Sequence, residues 1–256
     1  MADKVRLGGM ALRNGVLVHG PSSWACAVRL PDGSLKVAAE RKRVIANKIR
    51  NPLLRGPARL AEALAVLPAV KRRLPEAKLA FEQPSVIVAM GLSAIGVRVV
   101  RGSRLMPAGQ ELTAGLLALA PALLSLRGNE LAAYHGAEHI SIGTYEHDEP
   151  RAREHERCGT HLVGPLLATS AAANALAATV PRRFRAPARA AASLGAIAAA
   201  TELFGWMVRN PEKKLARALA KPGHELQHRY ATKEPSPEQL EVAEAALRAC
   251  LELEAA

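Results

Sequence analysis

Cys158-Gly159-Thr160-His161-Leu162-Val163-Gly164-Pro165-Leu166-Leu167, continued by an alanine-rich run to Val180, bears no charge apart from His161. A helix of about twenty such residues is long enough to cross a bilayer. Ala186–Val208 is equally long but contains Arg189 and Glu202. Pro84–Val97 and Leu112–Leu126 are uncharged but fall below the spanning length. Arginines flank every stretch: Arg98, Arg101 and Arg104; Arg127; Arg182, Arg183 and Arg185; Arg209. Such side chains reach anionic headgroups, so anionic membrane lipids are the expected partner. The body of the chain therefore reads as helical and membrane-associated. Alanine inserts weakly, and a mean hydropathy of +0.02 argues against a polytopic protein. Four spans with both ends inside would also place the Arg182–Arg185 turn outside, against the positive-inside rule. Re-entrant or shallow helices remove that conflict.

Toward the N-terminus the pattern changes to strands. Residues 5–45 contain Val16-Leu17-Val18 before the Gly20-Pro21 turn, a partly alternating Trp24–Leu30, the turn Pro31-Asp32-Gly33-Ser34, and Leu35-Lys36-Val37. Two or three short antiparallel strands follow from this, a sheet too small to stand without helices packed on it. Gly8-Gly9 reads as a pair of turn formers. From Gly56 to Arg73 the leucine spacing is helical, and Pro68 breaks or kinks it. At the other end, Ser236-Pro237-Glu238-Gln239 supplies an N-cap, a proline at the first helical position and a glutamine at the third. The apolar stripe of Leu240, Ala243, Leu247 and Cys250 then marks a docking helix.

Composition agrees with an α+β protein, a small N-terminal antiparallel sheet followed by a mainly helical body. Hydrophobic residues make up 49% of the chain but aromatics only 3%. The boundaries expected are 1–50 for the β region, 51–230 for the helical body and 231–256 for the docking helix. A net charge of +12 calls for an anionic partner or surface. The basic run Arg41-Lys42-Arg43, Lys48, Arg50 and Arg55 has no interleaved aromatics, so nucleic acid is not the expected partner. Cys26, Cys158 and Cys250 are far apart in sequence and suggest free thiols in a reducing compartment. Met1-Ala2-Asp3-Lys4-Val5 has no apolar leader region.

The chemistry is concentrated just before the first stretch quoted. In Tyr134-His135-Gly136-Ala137-Glu138-His139, the two histidines stand four apart and share one helical face. Their His-x-x-Glu-His spacing is the inverted zincin pattern, with Glu138 placed as general base. His155 and Cys158 add a nitrogen and a sulfur, the donor types that zinc prefers. Six acids lie between Glu138 and Glu156 against two arginines, a local charge that suits a cation. Glu202, a carboxylate inside an apolar helix, is a further candidate ligand. His224-Glu225-Leu226-Gln227-His228 also satisfies the zincin pattern His-Glu-x-x-His, but its flanks are basic and an amphipathic surface helix accounts for it.

These motifs resemble the bacterial YqhQ-like family, a domain of unknown function with predicted metal-dependent membrane enzymes. The resemblance runs through Gly8-Gly9 to Gly20-Pro21, His-Gly-Ala-Glu-His, Arg157-Cys158-Gly159-Thr160, and Thr232-Lys233-Glu234-Pro235 with Gln239–Ala243. It implies a site at His135, Glu138, His139, His155 and Cys158, and adds Glu202. Met10 and Asn14 replace a glutamine and a glutamate that the family carries. Ile140 stands in place of a lysine and Glu156 in place of a proline.

The functional expectation is a zinc-dependent hydrolase-like enzyme on the cytoplasmic side of the cell membrane, acting on an unidentified small molecule or peptide. His135, His139 and either His155 with Cys158 or Glu202 would hold the metal, with Glu138 polarising water. Two rivals are an interaction protein whose metal only fixes the fold and a basic nucleic-acid- or ribosome-associated module. Homo-oligomerisation is compatible with each.

Overall fold

The computed structural model describes residues 4–42, 49–126 and 130–256. Arg43 and Lys48 of the basic run, Arg127 of the flanking arginines, and Met1–Asp3 lie outside the described residues.

Four strands, not two or three, form the N-terminal sheet: β1 (Gly8–Leu12), β2 (Gly15–His19), β3 (Ser23–Arg29) and β4 (Leu35–Arg41). They pair antiparallel in sequence order, a simple meander. Two features of the sequence set the last turn: Gly33 takes a φ of 83°, and Asp32 Oδ1 accepts the Ser34 amide at 2.9 Å. The extra strand is β1, whose Gly8-Gly9 start looks like a turn in sequence. The two central strands are buried on both faces, which is why Val16-Leu17-Val18 and Trp24–Val28 are nearly continuous apolar runs.

One face of the sheet, carrying Leu12, Leu17, Trp24, Cys26 and Val28, packs on Val66, Leu67, Val70 and Leu74. These belong to α2 (Leu67–Arg73) and its flanks; α2 follows α1 (Pro52–Leu64). Pro68 lies in the first turn of α2, where its missing N–H costs nothing, so the predicted break is a helix start. The other face, carrying Val16, Val18, Ala25 and Ala27, packs on α5 (Glu130–His147) and α9 (Pro237–Ala255). α9 begins with the capping box read from the sequence: Ser236 Oγ accepts the Gln239 amide, and Gln239 Oε1 accepts the Ser236 amide at 2.9 Å.

Away from the sheet, α3 (Pro84–Gly102) packs along α4 (Pro107–Ser125), and α6 (Val163–Ala178) along α7 (Arg185–Arg209). Among the described residues, three helical segments are long and apolar enough to cross a membrane: Pro84–Gly102, Gly159–Ala178 and Arg185–Arg209. The first corrects the expectation that Pro84–Val97 is too short. Arg98 marks the end of the uncharged run, but the helix continues through Val99 and Val100 to Gly102. α3 is apolar yet hardly buried: Leu92, Ile95 and Val99 are each more than 60% exposed, a surface that water disfavours and lipid accepts. Within this body, polar side chains bond across helices. Ser93 Oγ donates to the Leu117 carbonyl at 2.7 Å, and Thr169 Oγ1 to the Ala196 carbonyl at 3.0 Å. The turns of the two helix pairs meet at one end, where Arg101 grips buried Glu111 with bonds of 3.1 and 3.0 Å beside Arg189 and Asn174. The last body helix, α8 (Lys214–Leu226), crosses the start of α6 through two glycines. A Cβ on Gly164 would overlap the Leu219 carbonyl, and one on Gly223 would stand 2.6 Å from His161 Cα.

Candidate metal centre

α5 is the helix that carries His135, Glu138 and His139, and the packing of its neighbours fixes all three side chains. Gly136 has no Cβ because the Lys233 carbonyl lies where one would be. The Lys233 amide donates to the Ala132 carbonyl at 2.9 Å, so the chain after α8 runs directly against α5. That contact brings the Ala231 carbonyl to His135 Nδ1 at 2.8 Å. On the next turn, His139 Nδ1 bonds to the Arg153 carbonyl at 2.6 Å. A carbonyl only accepts, so each Nδ1 donates and each Nε2 keeps a free lone pair. Both rings are thereby set in the tautomer that a metal requires.

The two Nε2 atoms converge with Cys158 Sγ. Sγ stands 3.4 Å from His135 Nε2, and the three ligand atoms lie within 4.8 Å of one another, a group able to hold a metal ion. Glu138 adds a carboxylate whose Oε2 is 3.9 Å from His135 Nε2 and 3.9 Å from His139 Nε2. This carboxylate is 6% exposed and His139 2%, burial that is costly for a charge without a cation. Burial pushes the Glu138 carboxyl up to about 7, against the pull of His135. Burial, reinforced by His135, brings His139 down to about 2, so its ring is neutral and free to ligate. Burial also raises the Cys158 thiol, and Thr160 and the backbone amides around it oppose that shift.

His155 belongs to the wall and not to the ligand group. Its Nε2 faces Glu146 Oε2 at 3.2 Å and its Nδ1 accepts the Arg157 amide at 3.3 Å, so both nitrogens are engaged while the ring rests 5.5 Å from that of His139. Glu202 lies on α7, partly buried, and lines none of the cavities described here. The acidic run has its own partners. Glu146 pairs with Arg157 and His155, Asp148 with Lys4, Glu149 with Arg151, and Glu154 with His228. His224 and His228 stack at 6.4 Å, and among the described residues they join no group of three ligands.

Sequence reasoning passed over two residues. Gly9 of β1 faces Glu138: a Cβ there would lie 2.5 Å from the carboxylate carbon, so the glycine makes room for the acid. Gln227 is fully buried and holds the segment before α6. Its Oε1 accepts the His155 amide at 2.9 Å, and its Nε2 reaches the His155 carbonyl, Thr160 Oγ1 and His161 Nδ1 at 3.1, 2.8 and 3.0 Å. The sequence did flag its neighbourhood, through the His-Glu-Leu-Gln-His pattern, but the operative residue is the glutamine between the histidines.

The ligand group opens on a cavity of about 360 Å³ lined by Gly8–Ala11, Leu131, Ile142 and Arg157. A second, polar cavity of about 1080 Å³ begins beyond His155 and Arg157, which line both. Comparison with curated proteins and with solved structures found no match. Residues 129–253, from the start of α5 nearly to the end of α9, match the family described as "Protein of unknown function (DUF1385)". This segment, just under half of the chain, carries His135, Glu138, His139 and Cys158, and its match is consistent with the YqhQ-like family of the sequence resemblance, of which DUF1385 is the domain.

Proposed function

We propose that the protein is a zinc-dependent hydrolase-like enzyme of the membrane surface, with His135, His139 and Cys158 as ligands and Glu138 as general base. The observation that supports this reading is the count of ligands. Three converge and a carboxylate borders the remaining side, an arrangement typical of catalytic sites, whereas structural sites fill all four positions. The nitrogen and sulfur donors suit zinc. A bound zinc ion polarises a carbonyl and lowers the pKa of water to about 7. Glu138 accepts a proton from the attacking water, whose oxygen joins the acyl carbon. As the bond to the leaving nitrogen or oxygen breaks, Glu138 returns the proton to that atom. Arg153 and Ala231 act through their carbonyls by holding the two imidazoles in register.

The exposed apolar helices and their arginine termini support a seat in anionic lipid. All three cysteines are free thiols, in keeping with a reducing compartment.

Glu138→Gln tests the catalytic assignment. Zinc content and melting temperature stay at wild-type values, while the variant fails to restore function in a strain lacking the protein. The expected loss in rate is about two to four orders of magnitude. If Glu138 instead only orients the histidines, zinc affinity falls about ten- to a hundredfold. That outcome would make the metal a fold-stabilising one and remove the enzyme reading.

A further inference from the structure

The wall of the metal-site cavity that faces the ligands is β1, and β1 is an edge strand, paired with β2 alone. Leu12 faces Gly15 across the Arg13-Asn14 turn, Met10 faces Leu17, and Gly8 faces His19. In an antiparallel pair, successive residues point their N–H and C=O groups alternately toward the partner and away from it. Counted from the turn, Gly8, Met10 and Leu12 bond to β2, and Gly9 and Ala11 point outward. Among the described residues no backbone group of another segment bonds to Gly9 or Ala11. Edge strands usually carry proline, lysine or another charge that prevents pairing. Gly8-Gly9-Met10-Ala11-Leu12 has none of these. Four of these five residues, Gly8 to Ala11, line the cavity together with His135, Glu138, His139 and Cys158.

We propose that β1 binds an extended stretch of substrate polypeptide as a fifth strand, laying one of its peptide groups against the His135–His139–Cys158 centre. This rests on the hydrolase reading and adds its substrate class. Main-chain hydrogen bonds supply the affinity in such strand addition. The open groups at Gly9 and Ala11 match a peptide backbone, whereas an acyl chain offers them no partner. Gly9 contributes twice: its outward amide pairs with the substrate, and its missing side chain keeps Glu138 beside the paired strand.

Hydroxamates, which chelate zinc, provide the test. Zinc-loaded full-length protein in detergent is titrated calorimetrically with acetohydroxamate, octanohydroxamate and acetyl-leucyl-alanyl-alanine hydroxamate. The peptide probe should bind at least about tenfold more tightly than either of the others. Ala11→Pro removes one outward N–H without touching a metal ligand or a β2 bond. It should reduce the peptide probe to the level of acetohydroxamate and leave zinc and acetohydroxamate affinities unchanged. The same probe methylated on its amide nitrogens should lose the advantage on the unaltered protein, which needs no variant to fold. Equal binding of the octanoyl and peptide probes, or a peptide advantage that survives both Ala11→Pro and methylation, overturns strand addition and leaves the metal centre standing. Failure of all three hydroxamates to bind overturns the metal centre, and strand addition with it.

Discussion

The carbonyl oxygen of Lys233 fills the place that a side chain at Gly136 would occupy. Two sequence blocks almost a hundred residues apart, His-Gly-Ala-Glu-His and Thr-Lys-Glu-Pro, are thus one structural unit. The contact places the Ala231 carbonyl on His135 Nδ1, so it also sets the geometry of a ligand. In Gly136→Ala the new methyl group meets backbone, which cannot swing away. The expected loss is about 1–3 kcal/mol in denaturant unfolding, together with weaker zinc binding. In Gly9→Ala the methyl group meets the Glu138 side chain, which can move, so stability should fall less and zinc binding should persist. Equal unfolding midpoints for Gly136→Ala and the wild type would contradict this account.

Metal content distinguishes the converging residues from the others. Purified protein should hold about one zinc per chain by elemental analysis. His139→Ala and Cys158→Ala should each lose it, because two donors remain. Glu202→Gln and His224→Ala should retain it in full, since neither side chain joins the ligand group. Zinc retained by His139→Ala would sink the assignment.

His19 gives the fold a pH dependence of its own. Burial, and next Lys42, bring its imidazole down to about 4. Its ordinary value is 6.5, so between pH 6.5 and 4 the unfolded chain binds the proton that the folded chain rejects. This contribution to stability is complete above pH 6.5 and is lost as the pH falls toward 4. Melting temperatures measured between pH 7.5 and 5 should therefore fall more steeply for the wild type than for His19→Gln. Parallel curves for the two proteins would exclude the effect.

Membrane association should combine apolar burial with charge. The protein should sediment with vesicles containing anionic lipid, and high salt should release only part of it. Ile95→Glu and Leu92→Glu, on the exposed face of α3, should increase the released fraction without altering zinc content. Complete release of the wild type by salt would mean a purely electrostatic attachment.

Much of the fold was legible because it rests on local chemistry. The capping box at Ser236 and the apolar runs of β2 and β3 are written in adjacent residues. What the sequence concealed depends on partners far along the chain. Gly8-Gly9 resembles a turn until His19 and Glu138 are seen filling the space of the missing side chains. Arg98 makes an apolar run look finished, although the helix continues another turn. The histidine spacing of α5 correctly indicated a shared face. It could not show that His155 spends its nitrogens on Glu146 and the Arg157 amide, nor that the neighbouring acids pair with arginine, lysine and histidine side chains instead of a metal ion.

The order in which the sheet is covered has a consequence for biosynthesis. α2 follows the strands within a few dozen residues, so one face of the sheet closes early on the ribosome. The opposite face waits for α5 and, at the far end of the sequence, for α9, where Glu254 accepts the amides of Ser22 and Ser23 at 2.8 and 2.7 Å. Throughout synthesis of the apolar helices, Val16, Val18, Ala25 and Ala27 remain half-covered. The ligand-bearing helix thus gains its full support only when the last helix has been translated.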